Sequence, residues 1–151
     1  MTMSLALLRL PHDTAALQIV AQALKPGVNP DYLIIGQSEV RPDGDGLLPV
    51  YIDSDAYDDP NWPYRGSVNM RYKRVDLNTA FGPLNLRVHV GAQYSTAKVV
   101  ARLKEVFGLD IQLADFVDET FPLTTLGRTV SLRAAADSLR WKGAVNVFVY
   151  R

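Results

Sequence analysis

The chain contains no cysteine. Thiolate nucleophiles, zinc–thiolate centres and a disulfide framework are therefore excluded together, and folding rests on packing alone. Long apolar runs are missing as well. No segment approaches the roughly 18 uninterrupted apolar residues that a membrane helix needs, so no membrane partner is expected. Charge of one sign is not in excess either, because sixteen Lys and Arg balance sixteen Asp and Glu. With no global positive field, no nucleic-acid partner is expected.

Histidine is scarce, and only His12 and His89 occur. His89 alternates with Val88 and Val90 in "RVHVG", which places it on a strand face where a general base would need a partner that the pattern does not supply. The chain also lacks a nucleophile elbow, a metalloprotease helix motif, a phosphate-cradling glycine loop and a dinucleotide fingerprint. The expectation is a protein that is not an enzyme and carries no cofactor and no metal.

What is present describes a folded object. Hydrophobic residues make up 48% and charged residues 21% of 151 positions, which suits one globular domain over residues 1–151 with a core of its own. The opening "MTMSLALLRL" is apolar but has no basic start and no small-residue cleavage site, so it reads as a first strand of a soluble, cytoplasmically made chain rather than an export signal. Asp13 or Thr14 can cap a helix that carries Ala15, Leu17, Ile19, Val20 and Leu24 at helical spacing and stops at Pro26 and Gly27. "YLIIG" reads as a strand. Residues 37–63 are rich in Asp, Pro and Gly and read as a long acidic loop excursion broken by one short strand, "LLPVYI".

"YRGSVNMRYKRVDL" (residues 64–77) is echoed at the end of the chain by "WKGAVNVFVYR" (residues 141–151). Period-2 alternation in both predicts two strands of one sheet, each entered through a glycine, Gly66 or Gly143. The first copy keeps Asn69, Arg71 and Lys73 on a wet face and belongs near an edge. The second carries Val145, Val147 and Val149 on one face and Phe148 and Tyr150 on the other, and belongs in a central or covered position. Between them "STAKVVARLKEVFG" is a helix capped by Ser95 or Thr96 and closed by Gly108. "LRVHV", "LDIQL" and "TVSLRA" alternate as strands. The fold class is α+β, a mostly antiparallel sheet with two helices packed against it.

Two acidic stretches, Asp43 with Asp45 and the run from Asp53 to Asp59, raise a cation site, but the full calcium-loop pattern is missing and solvated turns explain them. Arg65, Arg71, Lys73 and Arg74, interleaved with Tyr64 and Tyr72, suit a subunit contact better than a phosphate patch. Trp62 and Tyr64 flank Pro63 on the acidic excursion, where exposed aromatics anchor a partner or fold back as a lid. The expected interface residues are Trp62, Tyr64, Arg65, Arg71, Arg74, Phe148 and Tyr150.

An aromatic-x-Gly-Ser phrase at Tyr64 leads into Tyr72, Arg74, Asp76 and Leu77. The Ser-Thr-capped helix follows, then Gly108, Leu109, Ile111 and Asp115, and finally Ser138, Leu139, Trp141 and Gly143. In this combination residues 64–151 resemble a family of small virion-associated proteins of large tailed bacteriophages. The resemblance implies a virion location, on the head as a decoration protein or in the tail or baseplate. It also implies partners among other virion proteins and copies of the chain itself. The alternative is a small module that binds glycan or a divalent cation through the acidic aromatic loop 53–64.

Overall fold

The computed structural model describes residues 7–24 and 29–151. The chain forms two compact units, residues 1–73 and 74–151. The class is α+β: three α-helices and eleven short strands occur among the described residues, and most strand pairs are antiparallel.

In the first unit, Leu7–Arg9 form a 3₁₀ turn with Leu7 and Leu8 buried, rather than the end of a strand. The rest of the strand expected at the N-terminus, residues 1–6, lies outside the described residues, as do Pro26 and Gly27. Helix α1 (His12–Ala23) starts two residues earlier than a cap at Asp13 would place it. Its N-cap position is Pro11, whose φ of −49° already suits helix entry, and no side chain caps it. Ala15, Ala16, Ile19 and Val20 form its buried face.

Strands β1 (Leu33–Ile35) and β2 (Glu39–Val40) line up along one side of β3 (Gly46–Ile52), and β4 (Ser67–Tyr72) pairs with the other side, all antiparallel. The excursion at 37–63 thus contains more structure than one short strand. Its β3 is the centre of this sheet, with Gly46, Leu48 and Val50 buried, and a 3₁₀ turn spans Ser54–Asp58. Gly46 is required where β3 passes under Tyr72: a Cβ there would come within 2.1 Å of the Tyr72 ring.

The second unit begins with β5 (Val75–Asp76) and the short helix α2 (Leu77–Phe81), capped by the Asp76 carboxylate, which accepts from the Thr79 N–H at 2.9 Å. Strands β6 (Arg87–His89) and β7 (Gln93–Ser95) lead to α3 (Thr96–Phe107). This helix ends as expected at Gly108, which takes the left-handed conformation at φ 63°. "LDIQL" is not a strand. Leu109 and Ile111 are buried, and the segment runs into a 3₁₀ turn at Leu113–Asp115. Strand β8 (Thr120–Pro122) pairs with β7, while β9 (Arg128–Arg133), β10 (Trp141–Lys142) and β11 (Ala144–Tyr150) complete the unit.

Strand β11 lies between β9, antiparallel, and β6, parallel, and β10 pairs in parallel with β5. The second echo is therefore central, with Val145, Val147 and Val149 at 2% exposure or less, and the first echo, β4, is an edge strand. The two are not in one sheet, contrary to the reading of the repeat. Each belongs to a sheet of its own unit. What the copies share is local: Gly66 and Gly143 both enter their strands at positive φ, 77° and 75°.

Candidate functional site

The acidic residues are occupied locally. Asp43 accepts from the Asp45 N–H at 3.1 Å, Asp53 from the Asp55 N–H at 3.0 Å, and Asp59 from the Asn61 N–H at 2.8 Å, the pattern of ordinary Asx turns. Arg71, on the wet face of β4, reaches back to Asp43 at 2.5 Å and Asp45 at 3.2 Å. The cation thus pairs with the acidic hairpin turn. The Asp43 carboxyl is held below the usual aspartate range, first by the Asp45 N–H and then by the Arg71 and Arg41 charges. Among the described residues no group of three or more His, Asp or Glu side chains is placed to hold a metal ion. None of the helices there is long and apolar enough to cross a membrane.

Two of the expected interface residues are internal, and this corrects their assignment. Trp62 is 4% exposed, set edge-on between Tyr32 at 5.2 Å and Tyr64 at 5.6 Å. Of the aromatic pair only Tyr64 has surface to offer, because Trp62 folds back beneath it. Arg74 is 8% exposed and spends its Nη1 on the carbonyls of Ala136, Ser138 and Trp141, at 3.2, 2.8 and 3.1 Å. A guanidinium satisfied by buried carbonyls has no face left for a partner. Arg65 lies on the surface over the Tyr57 ring at 4.7 Å, with Nη2 donating to the Tyr57 carbonyl.

In the first unit, β4 pairs only with β3, so its outer edge carries no strand among the described residues. Beside it lies an open apolar groove of about 360 Å³ whose walls include Val20, Leu24, Leu33, Val50, Val68 and Met70, with Tyr64 and Arg65 at its mouth. Val68 shares its face with Met70 and Tyr72 as alternation requires, yet it is 56% exposed while Tyr72 is buried. The apolar face of the strand therefore emerges from under the sheet toward its N-terminal end.

In the second unit, the outward face of the β6–β11–β9 sheet presents Arg87 and His89 from β6, Asn146, Phe148 and Tyr150 from β11, and Thr129 from β9. Phe148 and Tyr150 lie nearly parallel, with centroids 6.4 Å apart and planes at 25°. His89 meets Tyr150 edge-on at 5.6 Å, and the Arg87 guanidinium covers Phe148 at 4.9 Å. The residues that sequence reasoning missed here are Arg87, His89 and Leu126. Only the strand register, which sets Phe148 against Arg87 and Tyr150 against His89, brings the first two to the rings.

The family model that matches the chain covers residues 57–151, well over half of it, and is described as "Family of unknown function (DUF7941)". No curated protein and no solved structure matches the chain.

Proposed function

We propose that this chain, which belongs to the DUF7941 family of unknown function, is a structural component of a bacteriophage virion that works through protein–protein assembly. The observation that carries the reading is the free edge of β4 beside an apolar groove from which Val68 stands 56% exposed. An unpaired edge offers a row of backbone donors and acceptors to an added strand, and the groove offers apolar surface to its side chains. The virion setting comes from the resemblance of residues 64–151 to virion-associated proteins, and it supplies the partners: other particle proteins and copies of this chain. In a particle built of many copies, individually weak strand additions give a durable contact through multiplicity.

The test is Val68→Asp. It places a charge in the mouth of the groove without touching the buried core of the unit. Mass spectrometry of separated heads and tails should find the wild-type chain in one fraction and lose the variant. Sedimentation of purified protein should show a complex or oligomer that the variant abolishes. A strictly monomeric protein missing from purified particles overturns the reading.

A further inference from the structure

We propose that the outward face of the β6–β11–β9 sheet is a stacking platform for single-stranded nucleic acid. The expectation that no nucleic acid is involved rested on a net charge of zero, and that balance conceals a separation. Residues 1–73 hold nine Asp and Glu against six Lys and Arg, whereas residues 74–151 hold seven against ten. Within the second unit the three strands of the platform contain no Asp or Glu at all. They contribute Arg87 and Arg133 to the outward face, whereas Arg128, paired with Val149, alternates to the opposite face and lies over Phe121.

The two arginines of this face differ in availability. Arg133 is bound to the Glu119 carboxylate. Arg87 has no carboxylate partner among the described residues and instead lies over the Phe148 ring at 4.9 Å. A guanidinium parked on a ring keeps its N–H donors directed outward, ready for a phosphate.

The rings themselves have the placement that bases need. Phe148 and Tyr150 occupy alternate positions of one strand and so project from the same face, nearly parallel, with Tyr150 40% exposed. An apolar lip closes one side. The turn at Thr124–Gly127 presses against β11 so closely that a Cβ on Gly127 would stand 2.6 Å from the Val149 carbonyl oxygen and 3.1 Å from the Phe148 ring. Leu126, 88% exposed, stands at its tip, and with Arg87, Phe148 and Tyr150 it frames an open concavity of about 410 Å³.

Two successive aromatic rings with the unpaired Arg87 cation beside them match a strand of bases on a phosphate backbone. An acidic peptide would use Arg87 but leave the rings without a role. A neutral glycan would use the rings but not Arg87. A duplex hides its base faces, so the platform discriminates against it.

The experiment is fluorescence anisotropy of a labelled oligo-dT and of a matched duplex with the full chain. The single strand should bind tighter than the duplex. Phe148→Leu with Tyr150→Leu, which keeps apolar volume but removes the rings, should weaken it about tenfold or more. Arg87→Gln should flatten the dependence of log affinity on log salt by about 0.7, one phosphate contact. Melting curves for each variant should match the wild type, because these side chains lie on the outward face. Equal affinity for duplex and single strand, or for polyglutamate, overturns the proposal in favour of a generic anion or acidic-protein surface. Binding unaffected by the ring variant, or no binding at low salt, also overturns it.

Discussion

Arg74 donates to the carbonyl of Trp141 at 3.1 Å, and the next residue, Val75, pairs with Trp141 in a parallel bridge. The end of the first repeated phrase is thereby clamped to the start of the second. Ser138 joins them, accepting from the Trp141 N–H at 3.2 Å and donating to Asp115 at 2.9 Å. Six of the residues that carry the likeness, Arg74, Asp76, Asp115, Ser138, Trp141 and Gly143, thus meet in one cluster of the second unit, with Arg74, Ser138 and Trp141 buried at its centre. In this unit they hold the fold together.

Arg74→Ala should destabilise the second unit by about 3 kcal/mol. It strips a charged donor from three carbonyls, two of them in bonds buried from water, and bonds to charged groups carry more than neutral ones. Urea unfolding followed by far-UV circular dichroism checks it. An unchanged midpoint would mean the carbonyls find other donors.

The two strand-entry glycines should respond differently to the same change. Gly66→Ala meets nothing within 4 Å and should cost about 1 kcal/mol for the left-handed conformation alone. Gly143→Ala adds a Cβ 2.6 Å from Asp76 Oδ2, the carboxylate that caps α2. It should cost about 1 kcal/mol more through the disturbed cap. Thermal melts of the two variants side by side decide it, and equal losses would show that Asp76 yields without consequence.

Much of this architecture was legible because it depends on neighbours along the chain. Alternation found β4, β6, β9 and β11, and the stripe of Val99, Val100 and Leu103 with Gly108 found α3. What alternation does not encode is which strands meet. The shared "Gly-small-Val-Asn" phrase describes how a strand is entered, and the two strands nonetheless belong to different sheets. For Trp62 the fold-back was one of two readings and the structure selects it, whereas burial of Arg74 escaped, since an Arg in a basic run looks exposed until backbone carbonyls close around it. The platform escaped for a related reason. Arg87 and Phe148 are 61 positions apart and meet only through the parallel register.

Asp43 gives the hairpin turn between β2 and β3 a pH dependence. Its carboxyl titrates below the usual range, chiefly because the Asp45 N–H bonds to the charged form, with Arg71 and Arg41 adding to the effect. A value depressed in the folded state stabilises above the unfolded value and loses that contribution as pH falls through the folded one. The turn should therefore loosen only in acid below the ordinary aspartate range, and the loss should shrink at high salt because Arg71 and Asp43 are solvent-exposed. Carboxyl NMR titration checks the direction. Asp43→Asn should abolish the step, and an Asp43 that titrates at or above the free value would refute it.

Trp141 supplies the sharpest contrast between volume and polarity. Its side chain is fully buried and stacks on Phe81 at 5.6 Å and 30°, yet its Nε1 has no acceptor among the described residues. A buried donor left unpaired costs about 1–3 kcal/mol, so replacing it with a ring that has no donor returns part of what the lost volume removes. Trp141→Phe, which keeps a ring against Phe81, should accordingly cost clearly less than full truncation, about 1–2 kcal/mol. Trp141→Ala, which loses the stack with Phe81 and opens a cavity, should cost about 3–5 kcal/mol. Denaturant midpoints of the two variants measure the gap. If Trp141→Phe is as damaging as Trp141→Ala, the indole N–H is holding a partner that matters, and the clamp between the two phrases depends on that bond as well as on packing.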